Sequence, residues 1–136
     1  QVRLLRVLQD RTFERVGGEE TLETDVRLIA ATNRDLERMV AENQFRHDLY
    51  YRLNVFPIEI PPLRDRAEDI PALINHFIER YNAEESRDVR GVRHEVLEVL
   101  SAQAWPGNVR QLRNVIDSAT VMATGGEIAP EDLGLH

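Results

Sequence analysis

The sequence contains no cysteine and no lysine, and each absence removes a class of chemistry. Without thiols there is no disulfide scaffold, thiolate zinc site, iron–sulfur cluster or cysteine nucleophile, and the cytoplasm is the expected compartment. Without lysine there is no G-x-x-x-x-G-K-[ST] phosphate loop, no Schiff-base centre and no lysine general base. All 17 basic residues are arginine, for which GC-rich codon usage is the ordinary explanation. Long apolar runs are missing too. Leu28 to Ala31 is typical of the longest, far short of the roughly 18 residues of a membrane helix, so no membrane partner is expected. The net charge of -7 argues against indiscriminate nucleic-acid binding and leaves room only for a local basic patch.

What is present is the balance of one soluble domain or part of a larger one: 136 residues, 42% hydrophobic and 30% charged. A chain of this size buries roughly 68% of its unfolded surface and needs no staple. Its first residues, Gln1-Val2-Arg3-Leu4-Leu5-Arg6, resemble the interior of an amphipathic helix and carry neither an initiator methionine nor a signal-peptide core, so we read the chain as a segment of a longer one.

Val2, Leu4, Leu5, Val7 and Leu8 predict a helix that ends at Gln9-Asp10-Arg11. Thr12 to Val16 and Thr21 to Thr24 flank Gly17-Gly18-Glu19-Glu20 and predict a hairpin. Val26 to Ala31 reads as a strand of the kind buried on both faces of a parallel sheet, ending at Thr32-Asn33. Short helices over 35–42 and 45–53 precede a second strand, Val55 to Ile60, closed by Pro61-Pro62.

From there the pattern is helical. Asp69 is the expected N-cap of a helix with Pro71 in its first turn and Ile70, Leu73, Ile74, Phe77, Ile78 and Tyr81 as its apolar stripe. Glu84 to Gly91 reads as a polar loop, and His94 to Ser101 as a helix with Val96, Val99 and Leu100 inward. Trp105-Pro106-Gly107 breaks the chain before a last helix, where Asn108 and Gln111 have capping-box spacing and Val109, Leu112, Ile116, Ala119 and Ala123 form the buried face. Gly125-Gly126 ends it. The expected organisation is an α/β piece over residues 1–63 and an all-helical piece over 64–136, with the proline-bearing segment Pro57 to Arg66 as a hinge.

His47, His76, His94 and His136 make no H-x-x-x-H or H-x-H pair, so no metal site is expected, and no hydrolytic triad is suggested by spacing. Asn33, at the end of an expected buried strand, is placed either to meet a ligand or to cap the next helix. Arg46 and Arg52, in Phe45-Arg46-His47-Asp48-Leu49-Tyr50-Tyr51-Arg52-Leu53, have the donor geometry for a phosphoryl group, or else pair with carboxylates such as Asp48. Arg110 opens the last helix, where the macrodipole gives a cation no benefit, so it either faces an anion or makes a weak surface pair.

These residues sit in stretches that resemble a family. Phe13 to Gly18, Asp25 to Leu36, Phe45 to Pro62, Leu63-Arg64-Asp65-Arg66 with Glu68-Asp69-Ile70-Pro71, and Trp105-Pro106-Gly107-Asn108-Val109-Arg110-Gln111-Leu112 are similar, in order and spacing, to the AAA+ ATPase domain of bacterial sigma-54-dependent transcription activators, the NtrC-like enhancer-binding proteins. The resemblance covers essentially the whole chain. It implies the later half of an α/β nucleotide-binding core followed by its helical lid, in a cytoplasmic bacterial regulator, often of the response-regulator type.

By the same resemblance Asn33 is the sensor I residue, Arg46 and Arg52 are arginine fingers acting in trans, and Arg110 is sensor II. The segment Phe13 to Thr24 is the hairpin that faces the pore of a ring. The family forms rings, commonly hexamers, which bind ATP with Mg2+, remodel sigma-54 RNA polymerase and reach enhancer DNA through a C-terminal helix-turn-helix that has no counterpart here. The phosphate loop and the acidic pair for magnesium have none either, so this segment alone is expected neither to hydrolyse ATP nor to bind it tightly. Two positions depart from the family pattern: His47 and Gln111 stand where glutamate is usual, which touches only the ion pairing around the arginines. The alternatives are a non-enzymatic helical or DNA-binding module over 64–136, favoured by Arg87, Arg90 and Arg93, or a hairpin-bearing AAA+ protein with another client, such as a helicase loader or chelatase.

Overall fold

The computed structural model describes residues 1–135, so His136 lies outside the described residues. The chain divides into two compact units, Gln1–Glu59 and Ile60–His136.

The first unit opens with helix α1, Val2–Asp10, which buries Leu5 and stops where Arg11 turns left-handed (φ 56) and returns its N–H to the Val7 carbonyl at 2.9 Å. Strands β1 (Thr12–Glu14) and β2 (Thr21–Glu23) pair antiparallel, with Phe13 opposite Leu22. Gly17 takes the positive φ of the turn, and the Thr24 N–H closes the hairpin's base on the Arg11 carbonyl at 2.7 Å. Helix α2 (Leu36–Ala41) is capped by Asp35, whose carboxylate accepts from the Arg38 N–H at 3.0 Å. Helix α3 (His47–Leu53) packs on α1 and α2 through buried Leu49, while Leu53 is half-buried.

In the second unit, short 3-10 turns at Leu63–Asp65 and Ala67–Asp69 lead into α4 (Ile70–Glu85). Ile70, Ile74, Phe77 and Ile78 of α4 join Leu112, Ile116 and Ala119 of α6 (Asn108–Met122) in one core, completed by Val96 and Leu100 of α5 (His94–Ser101). Each such aliphatic side chain taken from water contributes roughly 1.5–3 kcal/mol. Strands β3 (Gly91–Val92) and β4 (Glu127–Ile128) form a two-residue parallel pair. Thr120, fully buried, donates its hydroxyl to the Ile116 carbonyl at 2.8 Å.

Several local expectations are corrected. Val26 to Ala31 and Val55 to Ile60 form no ladder among the described residues, and Val26, Ile29 and Phe56 are 68%, 83% and 83% exposed. An apolar β-rich segment becomes a strand only by pairing, and among the described residues neither segment pairs. Asp69 makes no side-chain cap and instead approaches Arg66 at 3.7 Å. Val99 is exposed, with Leu97 packed on the core in its place, because α5 presents 96, 97 and 100 inward. Helix α4 continues through Glu84 and Glu85, carried by the i,i+4 pair of Arg80 with Glu84 at 2.8 Å, before Ser86 turns left-handed.

Candidate functional site

Arg46 is the N-cap residue of α3 rather than part of its helical face. Its backbone N–H donates to Gln1 Oε1 at 2.8 Å, and its carbonyl accepts from the Tyr50 N–H at 3.0 Å. The guanidinium makes a bidentate pair with Asp48, Nε to Oδ1 at 3.0 Å and Nη2 to Oδ2 at 2.8 Å. The Leu49 N–H donates to the same Asp48 oxygen, Oδ1, at 2.8 Å. These bonds hold the Asp48 carboxyl down at about 2, the hydrogen bond from Arg46 being the largest cause, and they push the Arg46 guanidinium further up. The Arg46 side chain is still 47% exposed and borders an open cleft of about 490 Å³, lined also by Val40, Gln44, Phe45 and His47.

Arg52 closes α3. Six residues from Arg46, it lies roughly 9 Å further along the axis and about 120° around it. Its Nη2 donates to the Leu8 carbonyl of α1 at 3.1 Å, which supplies a cation to a helix end that has no basic residue of its own. The expected alternative, a carboxylate partner, therefore holds for Arg46 and not for Arg52.

Asn33 sits exposed in a bend just before α2, where the Thr32 hydroxyl accepts the Arg34 N–H at 3.1 Å. It does not cap that helix, since Asp35 does. This removes the structural reading of Asn33 and leaves its side chain free for other use.

Arg110 is placed by a segment in which nearly every neighbour has an internal task. Trp105 is buried, holds a left-handed backbone (φ 48), and donates its indole N–H to the Leu100 carbonyl at 2.7 Å. Gly107 leaves the N-cap so close to Gln111 that an added Cβ would lie 2.7 Å from the Gln111 Cβ. The capping box expected of Asn108 and Gln111 is corrected: Gln111 Oε1 accepts the Gly107 N–H at 2.9 Å, and Asn108 Oδ1 accepts the Leu63 N–H at 2.9 Å. Asn108 has φ 50, a conformation asparagine tolerates, and this turns its side chain away from the cap. Leu112 is fully buried. Arg110, exposed in the first turn of α6, makes no hydrogen bond or ion pair among the described residues.

The basic cluster beside Gly91 is smaller than its sequence suggests. Arg87 Nη2 donates to the carbonyls of Thr120, Val121 and Ala123 at 3.1, 3.1 and 3.4 Å, closing the C-terminus of α6. Sequence reasoning missed this role and that of Gln1, because neither partner is near in sequence. Among the described residues no three acidic or histidine side chains converge on a point that could hold a metal, and no helix is long and apolar enough to cross a membrane.

Comparison with known proteins matches residues 1–59 to the sigma-54 interaction domain and residues 64–136 to the AAA+ ATPase lid domain. The regulatory protein AtoC of Escherichia coli is 53% identical over 98% of this chain and 29% of its own length. The formate hydrogenlyase transcriptional activator of Salmonella typhimurium is 54% identical over 92% of this chain and 18% of its own length. The crystal structure of NtrX from Brucella abortus in complex with ATP matches with a TM-score of 0.87 and 39% identity, covering 97% of this chain and 31% of that one. The chain thus spans less than a third of the relatives it matches.

Proposed function

The chain belongs to the AAA+ ATPase family, in its sigma-54 interaction branch with the attached lid domain, and from that premise we propose that it contributes guanidinium groups to ATP sites completed by a neighbouring subunit. Residues 1–63 are read as the later part of the α/β core and 64–136 as the lid. Arg46 and Arg52 act in trans as arginine fingers, Asn33 acts as sensor I, and Arg110 acts as sensor II on the nucleotide of its own subunit.

The observation that carries this reading is the geometry of Arg46. Its inner edge is fixed on Asp48, while the side chain stays half exposed and the residue borders a cleft. A planar, permanently charged donor held this way suits the oxygens of a transferring phosphoryl group, where catalysis is positioning and charge stabilisation. The exposed Arg110 and Asn33 offer the same class of contact to phosphate oxygens. The donor set therefore fits a nucleoside triphosphate. Guanidinium donors offer magnesium no ligand, and the roles given to these arginines do not run through the metal.

A finger supplied by the neighbour makes hydrolysis depend on assembly. The protein then works as a ring, commonly hexameric in its family, whose ATP-driven movements remodel sigma-54 RNA polymerase and activate transcription. Enhancer DNA is contacted by a helix-turn-helix elsewhere in the intact protein. AtoC is named a regulatory protein and the formate hydrogenlyase relative a transcriptional activator, and the NtrX structure is a complex with ATP, which supports this reading.

In the full-length protein, Arg46→Ala is expected to lower ATP turnover by roughly 10³-fold or more while nucleotide binding by each subunit persists. Unchanged turnover would remove Arg46 from the mechanism.

A further inference from the structure

The proposal rests on the reading of Arg46 as a trans-acting finger and concerns the residue behind it. We propose that Asp48 is the positioning residue of that finger: it clasps the inner edge of the Arg46 guanidinium and aims the free edge at the neighbour's nucleotide.

A guanidinium carries five N–H donors. The bidentate pair uses the Nε–H and one Nη2–H, so the second Nη2–H and both hydrogens on Nη1 stay available. The clasp therefore orients without occluding. A carboxylate that was itself mobile would orient nothing, but Asp48 is held by the Leu49 N–H at 2.8 Å on the first turn of α3. The Arg46 backbone is held separately by Gln1 and by its own carbonyl bond to Tyr50. Backbone and inner edge are thus both constrained, and because the guanidinium is one rigid plane the free edge is oriented with them.

Arginine has a long side chain with much rotamer freedom, which a finger must lose when it engages. Ordering before the encounter removes that loss from the catalytic step, and a misplacement of about 1 Å can cost roughly 100-fold in rate. The effect belongs in turnover. Asp48 touches no substrate in this arrangement, so the affinity for ATP should not follow it.

The test is a double-mutant cycle in the full-length protein with ATP as substrate, reading kcat, KM and ring assembly by light scattering. Asp48→Ala alone is expected to lower kcat roughly 10- to 100-fold with KM and assembly unchanged, and Asp48→Glu to recover part of the loss. In the Arg46→Ala background, Asp48→Ala should lower kcat no further, because Asp48 acts only through Arg46. Four results overturn the proposal. The first is normal kcat for Asp48→Ala alongside an inactive Arg46→Ala. The second is a further loss of kcat in the double variant. The third is a loss of assembly or a rise in KM in Asp48→Ala, which would make the pair merely structural. The fourth is normal turnover in Arg46→Ala, which removes the finger itself and with it the premise.

Discussion

Arg52 Nη2 donates to the Leu8 carbonyl at 3.1 Å, so the last turn of α3 holds the last turn of α1. Leu8 lies three residues before Arg11, whose carbonyl closes the base of the hairpin through the Thr24 N–H. The same guanidinium proposed to meet a neighbour's phosphate therefore supports the root of the hairpin while that phosphate is absent.

Arg52→Ala should loosen that root. A hydrogen bond from a charged donor contributes about 1 kcal/mol at an exposed site, so amide hydrogen exchange at Arg11 and Thr24 is expected to quicken roughly fivefold. Exchange at α4 and α6 should stay as in the parent. Unchanged protection at the hairpin base would show that the contact carries no load.

Gly107 is required by close approach and not by its backbone angle, which is ordinary at φ -88. Gly107→Ala places a Cβ 2.7 Å from the Gln111 Cβ and should cost about 1–3 kcal/mol in urea unfolding. Gln111→Gly alone loses one hydrogen bond and the helix propensity of a side chain, about 2 kcal/mol. The double variant should be less destabilised than the sum, because glycine at 111 removes the Cβ that the new methyl meets. Strict additivity would contradict this account of the glycine.

The Asp48 carboxyl titrates at about 2, below the ordinary aspartate range near 3.9. Because the folded value is depressed, the stabilisation from the Arg46 pair is complete above the unfolded value and is lost as pH falls through about 2. Carboxyl NMR should show this low midpoint, and Arg46→Ala should raise it toward the ordinary range. A midpoint near 4 in the parent protein would mean that the pair does not persist in solution.

Helices were legible in the sequence because their apolar stripes are local: Ile70, Ile74, Phe77 and Ile78 announce α4 without reference to anything else. Strands were less so. Val26 to Ala31 and Val55 to Ile60 carry strand composition, yet a ladder needs a neighbour, and among the described residues neither has one. The β3–β4 bridge was invisible for the opposite reason: two residues per strand leave no alternation to read. Among the candidate site residues, Asp48 was readable as a partner of Arg46 at a spacing of two. The Leu8 carbonyl beneath Arg52 and the Leu63 N–H beneath Asn108 are backbone groups distant in sequence, and no side-chain pattern encodes them. Arg110 stood out at both levels, as a cation at the wrong end of a helix and then as an exposed group amid anchored neighbours.

If the proposed finger crosses from one subunit to the next, mixing two inactive kinds of subunit should restore turnover. On that proposal, full-length Arg46→Ala subunits keep a nucleotide pocket but lack the finger, whereas subunits disabled in their own nucleotide binding keep the finger but lack the pocket. Each pure population should be inactive in ATP turnover, and an equimolar mixture should regain a measurable fraction of parental turnover at mixed interfaces. A mixture as inactive as its components, with co-assembly verified by light scattering, would contradict the account.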